Sequence, residues 1–156
     1  GDTIEFTSLN PPRIRVTGRI KHFTSAFGEH VIGKEVETAI TEACQKHGAS
    51  IREFHVAPQV NPIEGLPYHE WLIEFESIPK DKRAFIESIE NSMRAQNVYY
   101  LDLIKGKVLR ELVISELKPN SFESYMKSQG KLGGQNKVPR LSNDRKIADA
   151  LAQYVV

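Results

Sequence analysis

The sequence has little cysteine and no long hydrophobic run. Its single cysteine, Cys44, cannot form an intrachain disulfide, which is typical of a protein kept in a reducing compartment. No apolar stretch reaches the length of a transmembrane helix, and no signal peptide is recognisable. We therefore expect a cytoplasmic protein with no membrane partner.

The sequence also lacks an excess of charge of either sign. Its 21 basic and 20 acidic residues leave a formal net charge of +1. This balance excludes a global electrostatic attraction to nucleic acid or to a membrane surface, so any anion site must be local. The 156 residues, of which 40% are hydrophobic, suffice for one domain with a substantial core, or for one domain and an appendage.

Common catalytic and metal-binding motifs are missing as well. None of the five histidines shares an i, i+4 spacing with a carboxylate, and neither a G-x-S-x-G elbow nor a complete Walker loop occurs. Cys44 lies on an apolar helical stripe, which favours a core position over a nucleophile. We therefore expect no metal site and no serine or cysteine triad.

Hydrophobic periodicity predicts an α+β fold, with a three-stranded antiparallel or mixed sheet packed with helices and preceded by an N-terminal β-hairpin. Alternation predicts strands at 3–8, 13–21, 51–57, around 71–75 and at 109–117. Helical spacing predicts helices over 36–47, over 85–93, at 99–105, at 121–127 and after 143. Gly48 is expected to end the first helix, Ser121 to cap the fourth, and Ser142-Asn143 to cap the last.

Residues 128–140 form the most informative segment of the chain. They combine three glycines with Lys131, Lys137 and Arg140, and have almost nothing apolar to bury. Such a loop suits a transient contact with an anion, because a lysine ammonium is a compact charge and glycines allow close backbone approach. A solvated linker between two helices is the alternative interpretation.

Two further polar positions lie near the first strands. Asp2 carries a carboxylate that could accept the hydroxyls of a ribose, and Arg19 could reach a ribose or a phosphate. The alternative for Gly18-Arg19 is a strand bulge with a surface arginine.

Together these pieces resemble the C-terminal domain of adenylate-forming enzymes. Gly1-Asp2 is similar to the end of the Thr-Gly-Asp signature of that superfamily, although Gly1 could be a cloning remnant. The segment from Thr17 to Lys21 resembles its Gly-Arg-x-Asp/Lys hinge motif. The segment from Gln135 to Arg140 resembles its terminal Ser-Gly-Lys-Ile-x-Arg motif.

Within the superfamily, the sequence is most similar to the Gretchen Hagen (auxin-responsive) acyl-acid amido synthetase family, in its bacterial branch. The stretches FTSAFGEH at 23–30, GLPYHEW at 65–71 and GKLGGQNKVPR at 130–140 carry this resemblance. His30 and Glu29 depart from the basic residues that related enzymes place near these positions, so no contact is transferred to either.

The resemblance implies a ligase, as part of a larger chain, that works in two steps. ATP, bound with Mg²⁺ mainly by an absent N-terminal adenylation domain, converts a small carboxylic acid into an acyl-adenylate. An amine or amino acid then displaces AMP to form an amide. The C-terminal domain rotates against its own N-terminal domain between the steps, so this fragment alone is expected to be inactive.

The resemblance also implies roles for particular residues. Lys137, which matches the spacing of the terminal motif, would be the catalytic lysine, with Lys131 as the second candidate. Asp2 and Arg19 would contact the nucleotide, and Lys21 falls on the hinge position. Residues 1–21 would then be hairpin and hinge, and residues 22–156 the C-terminal lid domain. A non-catalytic α+β binding or regulatory module and the C-terminal domain of an acyl-CoA ligase remain the alternative functions.

Overall fold

The computed structural model describes residues 2–19, 23–131, 133 and 137–156. Its strands are β1 Asp2–Leu9, β2 Pro12–Arg19, β3 Phe23–Thr24, β4 Val31–Ile32, β5 Ser50–Gln59, β6 Tyr68–Ser77 and β7 Val113–Glu116. Its helices are α1 Gly33–His47, α2 Lys82–Gln96, α3 Val98–Lys105, α4 Ser121–Ser128 and α5 Lys146–Leu151, followed by a short 3-10 turn at Ala152–Tyr154. No helix in these ranges is both long and apolar enough to cross a bilayer.

A three-stranded sheet in the order β5-β6-β7 forms the centre of the fold. The strands β5 and β6 run antiparallel, whereas β6 and β7 run parallel, so the sheet is mixed. A parallel neighbour requires a crossover connection, which α2 and α3 provide. The predicted α+β class with a three-stranded sheet is therefore confirmed.

Helices cover both faces of this sheet. On β6, Trp71 and Ile73 point into a core with α1 and α2, while Leu72 points into a second core on the other face. The second core is completed by Phe122 of α4 and Leu151 of α5. Because successive side chains of a strand face opposite sides, burial on both faces explains the continuous apolar run at the centre of β6.

The first helix ends as the sequence predicts. Gly48 adopts a left-handed conformation with φ of 63°, and its backbone N–H donates to the carbonyl of Cys44. Glycine reaches this conformation without steric cost, so the position is well suited to stop a helix.

The predicted cap at Ser121 is wrong. Asn120 stands at the N-cap position with a left-handed φ of 64°, while the Ser121 hydroxyl donates to the Lys118 carbonyl. Two backbone amides at the start of α4 are bound by the carboxylate of Glu74 on β6, which accepts from Asn120 N at 2.7 Å and from Phe122 N at 3.2 Å. A tertiary partner has taken the role of the local cap.

The predicted cap at Ser142-Asn143 is also wrong. The helix α5 begins after Arg145, and Asp144 accepts the N–H of Lys146 at 3.0 Å. Ser142 and Asn143 instead bond to residues 24 and 25, described below.

The strand predicted at 109–117 is shorter than expected. The backbone N–H groups of Leu109 and Leu112 donate to the Leu103 carbonyl and to the Glu90 carboxylate. Because these bonds lead to α3 and α2, the strand begins only at Val113.

The N-terminal hairpin of β1 and β2 is confirmed. Cross-strand pairs Ile4–Val16 and Phe6–Ile14 form one apolar face, and each of these side chains is more than half exposed. Glu5 and Arg15 form an ion pair at 3.1 Å between the two strands.

Candidate functional site

The two lysines that the sequence left as alternatives line the same groove. This groove, of about 390 Å³, lies between α4 and β5 and includes Lys131 and Lys137, both exposed. We call it the lysine groove; its other lining residues are Arg52, Glu53, Glu74, Asn120, Phe122, Glu123, Met126, Gly133 and Val138. In the part of the chain that the structure describes, neither lysine ammonium forms an ion pair.

Lys131 is placed by the end of α4. Gly130 adopts a left-handed conformation with φ of 65°, and the backbone N–H of Lys131 donates to the Met126 carbonyl at 3.0 Å. A lysine at this position interacts favourably with the negative end of a helix. Helix termination therefore accounts for the backbone position of Lys131 and favours a cation there.

Lys137 is placed differently, at the start of a segment fixed to β5. Val138 is buried in the second core, and the Pro139 carbonyl accepts a hydrogen bond from His55 Nδ1 at 2.6 Å. Val56 then donates its N–H to the Arg140 carbonyl and accepts from the N–H of Ser142. We call residues 138–142 the anchored segment. Lys137 thus projects from a fixed point.

Arg140 holds the anchored segment from the side. Its guanidinium lies 3.2 Å from Glu37 and 3.1 Å from Glu53, and stacks over the Phe54 ring. Partial burial by itself would lower the pKa of Arg140, but the two carboxylates outweigh it and raise that pKa. Because Glu37 and Glu53 engage its charge, Arg140 positions the segment in this structure.

Glu74 fixes the floor of the lysine groove. Its carboxylate is 2% exposed and lies 3.7 Å from Arg52 Nη1, in addition to its bonds to the α4 amides. The sequence offered one signal for this role, a glutamate within the apolar centre of β6. Its partner amides lie 46 and 48 residues away, so the pairing itself was not predictable.

Glu29 is a buried structural residue. Its carboxylate is fully buried, accepts from His69 Nε2 at 2.9 Å and from the N–H of Phe27 at 2.8 Å. Burial by itself would raise the pKa of Glu29, but the hydrogen bond and charge of His69 outweigh it and the pKa is lowered. Neighbouring His30 is exposed, has a positive φ of 47° and contacts Ser25 and Tyr99.

Cys44 is half-buried against the first core, as its stripe predicts. It lies in a second groove, of about 450 Å³, between α1 and the start of β5. Burial raises the pKa of its thiol, so the reactive thiolate is disfavoured at neutral pH.

The remaining predicted site residues lie at the hairpin. The backbones of Asp2 and Arg19 are paired at the open end of the ladder, and the register shifts by one residue between Thr3 and Ile4. The residue left unpaired by this shift is Thr17, while Gly18 and Arg19 stay paired with Thr3 and Asp2. Lys21 lies outside the described residues. In the ranges described above, no cluster of three or more histidine, cysteine, aspartate or glutamate side chains could hold a metal ion.

His55, which bonds to the anchored segment, makes the stability of the chain depend on pH. Burial lowers the pKa of His55 below 6.5, because a second proton on Nε2, which has no hydrogen-bond partner, would be buried unpaired. The unfolded chain therefore binds this proton at a higher pH than the folded chain. Stability from His55 is present above pH 6.5 and is lost as pH falls through the folded pKa.

We therefore expect the free energy of unfolding of the chain to decrease as the pH is lowered from 6.5. His55 should contribute up to about 1.4 kcal/mol per pH unit to this decrease. His55→Gln removes the titrating group and should flatten this slope while lowering stability at pH 7.5. Urea unfolding curves between about pH 5 and 7.5 measure both effects. Parallel pH profiles for the two proteins would contradict the assignment.

The mixed sheet between two helical layers, with the lysine groove beside it, defines an α+β domain that presents a lysine-bearing segment at its surface. The model of the GH3 family C-terminal domain matches residues 34–146. The chain belongs to this family.

Two solved structures are similar to this chain over its whole length. One is "GH3.15 acyl acid amido synthetase", with a TM-score of 0.80 and 21% identity. This match covers 100% of the present chain and 30% of that protein. The other is "AtGH3.15 acyl acid amido synthetase in complex with 2,4-DB", with a TM-score of 0.76, 21% identity and the same coverage. At this identity the likeness concerns the fold. No curated protein matches this chain significantly.

Proposed function

We propose that this chain is the mobile C-terminal domain of an ATP-dependent acyl acid amido synthetase, a ligase. The family match supports the class, and the 30% coverage of the solved relatives supports a domain within a longer enzyme. The observation that carries the proposal is the exposed Lys137, held at the edge of the lysine groove by the anchored segment.

In the first step, an oxygen of the substrate carboxylate attacks the α-phosphorus of ATP. The bond from that phosphorus to the bridging oxygen breaks, and pyrophosphate leaves with the electron pair. Negative charge develops on the α-phosphate and the leaving group, and the Lys137 ammonium would offset it from a fixed position. Lys131 is the second candidate for this role.

In the second step, the nitrogen of an amine or amino acid attacks the acyl carbonyl carbon. The carbon–oxygen bond to AMP breaks, AMP leaves with the electron pair, and the nitrogen loses a proton. Lys137 is not needed here, so the domain would rotate away about a hinge near Lys21. Asp2 and Arg19 would contact the nucleotide, while ATP and Mg²⁺ would be bound mainly by the N-terminal domain.

The hairpin supports the presence of that larger domain. Ile4, Phe6, Ile14 and Val16 form an apolar face that is more than half exposed in this chain. Contiguous apolar surface of this kind marks an interaction site. An N-terminal domain, in a protein about three times longer, would cover it.

The proposal is tested on the full-length parent enzyme with ATP, a panel of carboxylic acids, and either amines or coenzyme A. We expect pyrophosphate release that depends on one class of acid, and an amide product detected by mass spectrometry with one class of amine. Omitting the amine should leave the acyl-adenylate as the product. A thioester formed with coenzyme A, or no acid-dependent pyrophosphate at all, would contradict the assignment.

A further inference from the structure

Two segments that are far apart in the sequence are joined by hydrogen bonds. The hydroxyl of Thr24 donates to the Ser142 carbonyl, and the N–H of Ser25 donates to Asn143 Oδ1 at 2.8 Å. Thr24 is fully buried, whereas Asn143 is exposed. These two bonds connect the end of the anchored segment to the first described residues after the hairpin.

The anchored segment transmits this connection to Lys137. Ser142 and Arg140 bond to the two backbone groups of Val56, and Pro139 bonds to His55. Val138 is buried next to Lys137. Residues 138–142 lie between Lys137 and the bonds from Thr24 and Ser25. Each of them has either a backbone group bonded to β5 or a buried side chain.

The other partner in this connection is equally well fixed. Residues 23–32 are held by the Glu29–His69 pair and by Asn97, whose side-chain amide donates to the Glu29 carbonyl at 2.9 Å. Phe23 and Thr24 also pair with Ile32 and Val31. This segment therefore belongs to the rigid part of the domain although it lies directly after the proposed hinge.

We propose that Thr24 and Asn143 are positioning residues that lock the segment after the hinge to the segment that carries Lys137. This inference rests on the proposed function. Rotation about a hinge moves a side chain to a reproducible position only if the segments between the hinge and that side chain are rigidly connected. Since a misplacement of about 1 Å can reduce a rate about 100-fold, loss of either bond should impair the step that needs Lys137.

The test uses the full-length enzyme and compares its two half-reactions. Thr24→Val and Asn143→Ala each remove one bond, while Thr24→Ser and Asn143→Asp keep the hydroxyl donor and an oxygen acceptor. We expect the first two variants to lower acyl-adenylate formation about tenfold and the conservative pair to restore it to within about twofold. Amide formation from supplied acyl-adenylate should stay unchanged in all four.

Two further measurements separate positioning from loss of structure. Thr41→Val, at an exposed threonine on α1 that bonds only within its helix, is the matched control and should leave both half-reactions unchanged. In Asn143→Ala, hydrogen exchange at the Ser142 and Val56 amides should accelerate while exchange in α2 stays the same. Because Asn143 is exposed, this variant is expected to fold even if Thr24→Val does not.

Parallel loss of both half-reactions would overturn the inference, because it would show a general structural defect. Unchanged acyl-adenylate formation in both Thr24→Val and Asn143→Ala would also overturn it, while leaving the proposed function intact if Lys137→Ala still abolishes that step. Intact adenylation in Lys137→Ala would instead overturn the proposed role of the lysine and, with it, this inference.

Discussion

Replacing Lys137 with alanine in the full-length enzyme is expected to lower the rate of acyl-adenylate formation about 10²- to 10³-fold. This is the usual loss when one preorganised charge or donor is removed from a developing anion. Lys137 precedes the buried Val138, which fixes the backbone on that side of the lysine. Acid-dependent pyrophosphate exchange measures the effect, and amide formation from supplied acyl-adenylate should be retained.

Lys131→Ala decides between the two lysines of the groove. Because helix termination accounts for its position, we expect this variant to retain adenylation within about tenfold, a smaller loss than that from removing a preorganised donor. Lys127→Ala, at an exposed lysine one turn earlier on α4, is the matched control for charge alone. A large loss in Lys131→Ala together with normal exchange in Lys137→Ala would reverse the assignment.

Replacing Glu29 with methionine is expected to lower the free energy of unfolding by about 3–5 kcal/mol. The substitution keeps the volume but leaves the buried His69 Nε2 and the partly buried Phe27 N–H without their acceptor. Among the described residues His69 Nδ1 has no hydrogen-bond partner, so the ring would lose the one hydrogen bond that they provide. Equilibrium urea unfolding of the chain gives the difference.

A second substitution tests whether the loss comes from the unpaired imidazole. In Glu29→Met with His69→Leu both members of the pair are apolar, and we expect the double variant to be more stable than Glu29→Met alone. Glu64→Met, at an exposed glutamate in the loop between β5 and β6, should change stability by less than about 0.5 kcal/mol. A double variant less stable than the single one would contradict the account.

The sequence predicted those elements whose signal is local. The period of 3.6 residues and Gly48 placed α1 and its end, and alternation placed the hairpin and β6. The stretches at 23–30, 65–71 and 130–140 also led to the GH3 family, which the family match confirms. The two mistaken caps have different causes. At α4 the Glu74 carboxylate, 46 residues before Asn120, accepts from the amides that a local cap would serve. At α5, Ser142 and Asn143 are bonded to Thr24 and Ser25, 118 residues away, and the helix begins only after Arg145.

The sequence by itself determined the fold class, the family and two lysines in a glycine-rich segment. Only the tertiary structure decided that Lys131 follows directly on the end of α4 while Lys137 extends from an anchored segment, and that Glu29 is buried against His69. The physical reason is distance along the chain. Periodicity and turn chemistry act between neighbouring residues, whereas the partners of Glu29, Thr24 and Pro139 lie 40, 118 and 84 residues away and meet only when the sheet and both helical layers have assembled.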